Sequence, residues 1–427
     1  MAQLAERHES YLTCFDAFRR DAAFGSQVAR DARESAFGRF LADGFPTTKH
    51  EDWQFTNVAP IANTLFERAT IETVLPEVTS PAMFDGAIGV AVIVNGRLSS
   101  SLSSLSALPD GVTVKSLAAQ SPDLDLGQSV TSGAFADLNT AFCSAVIVVE
   151  VAASTVAERP LHLVFVTASD DQPVMASPRL LVVVGEHAQA SIVETHIDAG
   201  RAPALANVIA DVRVAASALL DHVKIQRQRA SSFHIASLHA AVGRAGTFTS
   251  HSVTLGGRIS RNDITSVLDG EGAECTLNGL YVAGGETLVD NHTTIDHARA
   301  HCPSHEVYKG ILTGHAKAVF NGKIIVRPDA QKTNAKQTNK ALLLTDDAQV
   351  NSKPQLEIFA DDVKCTHGAT VGQLDEDAMF YLRARGIPET AARNMLIHAF
   401  AGDVLGGIRH DAVRESTMRL VDEMLSI

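Results

Sequence analysis

The densest set of metal-ligating side chains in the sequence is Asp290, His292, Asp296, His297, His301, Cys302 and His305. Imidazole, thiolate and carboxylate are the usual ligands of transition metals. The spacing matches no zinc-finger pattern. On a strand, His297, His301 and His305 share a face but spread along it too far for one ion. They read as polar strand and turn residues. A second set is Cys365 and His367, within Asp361-Asp362-Val363-Lys364-Cys365-Thr366-His367-Gly368-Ala369-Thr370. In an extended segment these two point to the same face. A thiolate beside an imidazole makes a soft, partly basic site for iron or a persulfide. Two ligands do not complete a tetrahedral site, so a second chain would have to supply the rest. By pattern alone, a buried structural cysteine beside a hydrogen-bonded histidine is the simpler reading.

Other chemistries lack their residues. Asn321-Gly322-Lys323 has no glycine five residues before Gly322, and Ile324 stands where a P-loop needs Ser or Thr. ATP hydrolysis by that route is excluded. There is no G-x-S-x-G, no H-E-x-x-H and no G-x-G-x-x-G opening a helix. Cys14, Cys143, Cys275, Cys302 and Cys365 are dispersed and odd in number, with no CxxC pair. They form no disulfide framework, zinc ribbon or ferredoxin-type site, and a reducing cytoplasm is the expected compartment. A net charge of −13 argues against a nucleic-acid partner, and 5% aromatic residues against stacking platforms for sugars or bases. No apolar run reaches the roughly 18 residues of a membrane span, and the N-terminus lacks the pattern of a secretory signal.

These residues must be positioned by three zones of different texture. Residues 1–83 read as mainly helical, with helices over Ala5–Ala23 and Ser26–Ala42 stopped by Gly44-Phe45-Pro46. Residues 84–372 hold short β-like runs rich in Val, Ile, Ala, Thr and Ser, from Val90–Val94 to Ala318–Val326, punctuated by turn residues. Within them Val223 and Ile225 alternate with Lys224 and Gln226, the mark of a strand with one buried face. Ten-residue helical patterns are almost absent between the strands, which removes a βαβ fold. Sandwiches, barrels and a parallel β-helix remain, and small residues at the turns without an Asn-Gly series favour the β-helix. A β-helix needs capped ends, which helical zones at both termini would supply.

Residues 373–427 are helical again. Asp375, Glu376 and Asp377 open one helix, Gly386 ends it, and Pro388-Glu389 open the next. Ala392, Leu396, Ala399 and Phe400 form one apolar stripe. It is either packing against the β domain or a docking face for a partner, and packing is the simpler reading.

The segment from Lys353 to Gly372 resembles the signature of the SufB/SufD family of iron–sulfur cluster assembly proteins, on its SufD side. Asp290-Asn291-His292-Thr293, Ala318-Val319-Phe320-Asn321-Gly322, Gln331-Lys332-Thr333, Gln337-Thr338-Asn339 and Phe380-Tyr381-Leu382-Arg383-Ala384-Arg385-Gly386-Ile387 resemble the same family. So does Gly44-Phe45-Pro46 followed by Glu51-Asp52-Trp53 and Phe55-Thr56. Where SufB members carry a Glu-His-Glu-Ala-Thr-Thr type of motif, this chain has Cys365-Thr366-His367-Gly368-Ala369-Thr370.

The resemblance implies a right-handed parallel β-helix between two helical regions. It implies a complex of one SufB, two SufC ATPases and one SufD, with the C-terminal helical region docking SufC. Under it the stripe of Ala392, Leu396, Ala399 and Phe400 becomes a SufC-docking face. Cys365 and His367 fall at the SufB interface, where His367 would ligate transient iron or a nascent cluster jointly with a SufB thiolate. Cys365 would be ligand, sulfur relay or packing residue. The chain is then a scaffold and not a turnover enzyme, and it holds no permanent cofactor alone. A reduced flavin belongs to the family's complex, but no residue here places it. Competing readings are a SufB-like scaffold, a homodimer of the isolated chain and, outside the family, a β-helix enzyme acting on polysaccharide. The single Trp and the low aromatic content stand against the last.

Overall fold

The structure is a computed structural model; it describes residues 2–21, 24–71, 73–118, 121, 126 and 131–425, with side chains from residue 11 onward. The middle of the chain coils into a parallel β-solenoid of about eight turns, as its texture led us to expect. Each coil gives one strand to each of two sheets. Strands Gln189–Ala199, Leu219–Gln226, Thr247–Thr254, Glu274–Ala283, Pro303–Leu312, Asn334–Leu343 and Lys364–Gly372 stack in the first sheet. Strands Ala204–Val214, Phe233–Val242, Ile259–Leu268, Leu288–His297, Lys317–Val326 and Gln349–Ile358 stack in the second.

The coils are held in register at one turn by a repeated left-handed residue. Ser154, His187, Ser217, Ala245, Gly272, His301 and Lys332 recur about every 30 residues with φ between +53° and +70°. Each donates its backbone N–H to a carbonyl of the following coil, at 2.7–3.1 Å. That hydrogen bond offsets the strain which a side chain feels in this region. His301 is one of these turn residues.

Inward-facing side chains from the two sheets form the core. Tyr281 and Tyr308, each 1% exposed, lie on the backbones of Gly310 and Gly279 of the adjacent strands. A Cβ added at Gly310 would stand 2.1 Å from the Tyr281 ring, so the ring must move or the strands must part. We expect Gly310→Ala to lose roughly 1–3 kcal/mol or more in urea unfolding. Gly38, within the helix Gln27–Asp43, has nothing within 4 Å, so Gly38→Ala should instead gain up to about 1 kcal/mol. Equal effects at the two sites would contradict this packing.

The N-terminal helices Ala2–Arg19 and Gln27–Asp43 are close to expectation, with Ser26 as N-cap and Gly44 at φ +66° ending the second. Of the first predicted helix, Ala22 and Ala23 lie outside the described residues. A short helix, Ala134–Phe142, was not expected. Its Leu138 and Phe142 join Phe15, Phe37 and Phe40 in an aromatic core that covers Phe233 and Ile235 on the outer face of the second sheet.

Helices Glu376–Ala384, Glu389–Leu405 and Asp411–Leu425 follow the last strand. Asp375 caps the first of them, its Oδ1 accepting the Ala378 N–H at 3.0 Å. The expectation that both helical zones cap the solenoid ends is corrected here. Ile397, Ala401, Val404 and Leu405 pack on Val253, Leu280, Val282 and Ile311, on the outer flank of the first sheet. That flank offers branched apolar side chains, whereas the last coil offers mainly polar ones. Lys309 fixes the position by donating to Asp403 Oδ2 at 2.6 Å and to the Phe400 carbonyl at 3.0 Å. The last coil, Gln349–Ile358 and Lys364–Gly372, therefore ends both sheets with no further strand beyond it among the described residues.

Candidate functional site

The end coil carries Cys365 and His367 on its strand of the first sheet. Strand register extends two inward columns to them. Phe248, Cys275, Ser304 and Ala335 lead to Cys365, and Leu277, Glu306 and Gln337 lead to His367. All seven preceding residues are buried, at 1% exposure or less. At the last coil the cover runs out: Cys365 is half-buried and His367 exposed. The same-face geometry expected of an extended segment is thus found. Burial holds the Cys365 thiol above its ordinary pKa, partly opposed by the nearby Ala335 N–H. Such a thiol is protonated at neutral pH and becomes a strong ligand only when a metal or partner cation displaces the proton.

Around this pair the end coil exposes Ile358 at 40%, Phe359 at 62% and Val371 at 45%. Two unpaired strand edges and a loose apolar rim lie in one place. An uncovered edge is a template for pairing with another chain.

The histidine stretch falls apart spatially. His292 Nε2 lies 3.0 Å from Asp290 Oδ1 on the outer face of the second sheet. His297 is buried, its Nε2 bonded to Ser304 Oγ at 3.0 Å. His305 is exposed on the first sheet, while Cys302 is buried and donates its S–H to the Gly270 carbonyl. Among the described residues no group of three or more His, Cys, Asp or Glu is arranged to hold a metal ion.

Several buried histidines are neutral for the same reason, desolvation. Burial pushes His162 down to about 3, and His251 and His297 to about 4. An unfolded histidine protonates near 6.5. Below that pH the unfolded chain binds protons that the folded chain refuses, so stability is present above about 6.5 and is lost as pH falls toward 4. Glu306, pushed up to about 7, acts in the opposite sense between its unfolded value and 7, but as a single group. We expect the urea midpoint to fall steadily between about pH 6.5 and 4. A flat profile would contradict the burial of these rings.

The Glu51 to Thr56 segment is clamped across the second sheet. Thr56 Oγ1 donates to Asp290 Oδ2 at 2.6 Å, Arg261 donates to the Asp52 carbonyl at 2.6 Å, and Lys353 meets Glu51 at 2.8 Å. A cleft of about 900 Å³ lies beside it, lined by Asp52, Trp53, Phe135, His239 and Arg261. It does not include Cys365 or His367. The Arg261 guanidinium covers one face of Trp53 at 3.8 Å, and Phe135 stacks on the ring at 5.4 Å. The only Trp is thus engaged in packing, which removes the obvious sugar platform.

The C-terminal stripe divides. Ala392 is fully buried and cannot meet a partner, which corrects its assignment as a docking residue. Phe400 lies partly buried under Lys309, whose Nζ is 4.5 Å from the ring centroid, and Leu396 is half-buried. Ala399 is exposed and lines a shallow groove with Asn394, Met395 and His398. The most exposed apolar side chains here are Phe380 at 74%, Tyr381 at 58% and Met395 at 51%. The solenoid takes the face of Ala392, Ile397 and Ala401, so of the stripe only Ala399 and parts of Leu396 and Phe400 reach solvent.

Comparison with known proteins matches two family models in tandem along most of the chain. Residues 165–400 match the model of the SUF system FeS cluster assembly, SufBD core domain, and residues 5–163 that of the SufBD protein N-terminal region. The iron-sulfur cluster assembly SufBD family protein slr0076 of Synechocystis is 35% identical over 85% of this chain and 84% of its own. The iron-sulfur cluster assembly protein SufD of Escherichia coli is 30% identical over 91% of both chains. SufD of Bacillus subtilis is 26% identical over 62% of this chain and 61% of its own.

Proposed function

The chain belongs to the SufBD family of iron–sulfur cluster assembly proteins, and on that premise we propose that it is the SufD-like scaffold subunit of a SUF complex. It pairs with SufB through its open end coil and docks a SufC ATPase on its C-terminal helices. The observation that carries the reading is the end coil itself. Its edges are unpaired, its rim is apolar, and His367 stands exposed beside Cys365 at the end of two buried columns.

An exposed neutral imidazole nitrogen binds iron readily but weakly when alone. A thiolate from the facing SufB chain would complete a ligand set that neither chain holds by itself. Iron or the nascent cluster is cargo here, held until transfer, so the chain acts as scaffold and not as catalyst. Nucleotide-driven closure of two SufC subunits would pull on the helices clamped by Lys309 and Asp403. That shifts the interface only if SufC binds ATP more tightly in one arrangement. Dispersed free cysteines suit a reducing cytoplasm, and among the described residues no helix is long and apolar enough to cross a membrane.

The test is co-expression with SufB and SufC followed by size-exclusion chromatography with mass detection. The reading predicts one complex with two ATPase copies. A homodimer of this chain that ignores both partners would overturn it.

A further inference from the structure

Charge is spread unevenly along this acidic chain. Eight of its eleven lysines fall between Lys309 and Lys364. Residues 303–372 hold nine basic and seven acidic side chains, while the whole chain holds 36 and 49. The coils nearest the open end therefore carry net positive charge in a chain of −13.

Half of these lysines are neutralised within the chain. Lys309 pairs with Asp403, Lys323 with Glu357, Lys332 with Asp362 and Lys353 with Glu51. Lys317, Lys336, Lys340 and Lys364 are exposed and have no ion-pair partner among the described residues. Lys340 lies near Asp403, but that carboxylate bonds Lys309. Three of the four belong to the last two strands of the first sheet, Asn334–Leu343 and Lys364–Gly372, which contain no Asp or Glu. Ala335, Gln337 and Asn339 point inward, so Lys336 and Lys340 point outward, as does Lys364 beside Cys365. Register sets Lys336 against Thr366 and Lys340 against Thr370. Only a short threonine then separates each long lysine stem from the open edge. The second sheet's edge differs: on Gln349–Ile358 both charged side chains, Lys353 and Glu357, are already paired.

Lys336 and Lys340 stand four residues apart on one strand, about 13 Å, which a small anion does not span. A nucleic acid would be repelled by the acidic remainder of the chain. We propose that Lys336, Lys340 and Lys364 are specificity residues of the end coil. They select a solenoid partner whose facing strand carries Asp or Glu on its outer face, and they disfavour a second copy of this chain. The selection rests on the reading of the end coil as the SufB face. When a partner's strand extends the first sheet, its outer side chains stand about 5 Å from those of Lys364–Gly372, where opposite charges attract and like charges repel. A second copy joined edge to edge by a two-fold axis would bring six lysines and no carboxylate from these strands. The paired second edge adds no such force, so charge also fixes how the partner is turned about the solenoid axis. Protection of an open edge is the simpler use of lysine. That role is indifferent to the sign of the charge and acts on the edge strand, whereas two of these three lysines stand one strand in.

The test is Lys336→Glu/Lys340→Glu/Lys364→Glu in the full-length chain, with purified SufB as ligand in surface plasmon resonance and thermal melts as the fold check. At about 50 mM NaCl the variant should bind SufB at least about tenfold more weakly than wild type, and the difference should shrink several-fold at about 500 mM. Lys364→Glu alone should lose about threefold, which keeps the test if the triple variant unfolds. Arg244→Glu, exposed on an earlier turn, makes the same change in net charge and should leave binding unaltered. Sedimentation measures self-pairing. Lys→Gln at the three positions should strengthen it at least about fivefold, and added salt should strengthen it in wild type. Equal SufB affinity of wild type and the charge-reversed chains, or no gain in self-pairing on neutralisation, would overturn the proposal. If wild type does not bind SufB, the end-coil reading fails and the choice of partner with it, while sedimentation still decides whether the lysines oppose self-pairing.

Discussion

A His367→Ala chain should fold, unfold and bind its ATPase like wild type, yet its complex with SufB should retain little iron or sulfide. The first half follows from exposure. His367 sits on the outermost strand, its side chain open to solvent, so its loss costs no more than an ordinary surface change of about 0.5 kcal/mol. The second half follows from the donor count at a shared site. Even an outer-shell partner of a metal ligand is worth about 10–100-fold in affinity, and a ligand itself at least that. Cys365→Ser separates the roles left open for Cys365. As a packing residue against Leu356 and Val363 it would change stability slightly and iron content not at all; as a ligand it would behave like His367→Ala.

The second large effect concerns the C-terminal helices. Phe380→Asp combined with Met395→Asp should abolish capture of SufC while leaving thermal unfolding unchanged. Both side chains are more than half exposed, so neither supports the fold. Two buried hot spots of about 2 kcal/mol each amount to roughly a thousandfold in affinity. Leu396→Asp with Phe400→Asp is the informative contrast. It should also lose SufC, but with a destabilised helical region, because Phe400 packs on the solenoid under Lys309. A pull-down with immobilised SufC, run beside thermal melts of both double mutants, separates the two. Full binding by the Phe380 and Met395 variant would remove the docking surface from the account.

Much of the solenoid was legible because its strands are short runs rich in β-branched residues set between turn residues, even where polar side chains such as Glu194, His222 and Lys224 lie inside. Strands such as Thr247–Thr254 and Pro303–Leu312 alternate with buried Phe248 or Tyr308 inside, and turn residues separate them. The strands Asn334–Leu343 and Gln349–Ile358 were not anticipated, for a physical reason. Their inward positions include Gln337, Asn339 and Ser352, and the last coil is half-exposed throughout, so no hydrophobic period exists to be read. The helix Ala134–Phe142 was missed because it is short and buried on nearly every side, its polar Asp137, Asn139 and Thr140 included, so no solvent face marks it. The pairing of Cys365 with His367 needed only the period of two. Their exposure at an uncapped end did not follow from local pattern, since it depends on where the following helices pack.

The most direct measurement is the iron and acid-labile sulfide content of the purified complex with SufB and SufC, prepared anaerobically with wild-type chain and with His367→Ala. The account predicts equal assembly of both complexes, with iron and sulfide in the wild type and their loss in the variant. Equal iron in two equally assembled complexes would contradict a site shared at the end coil.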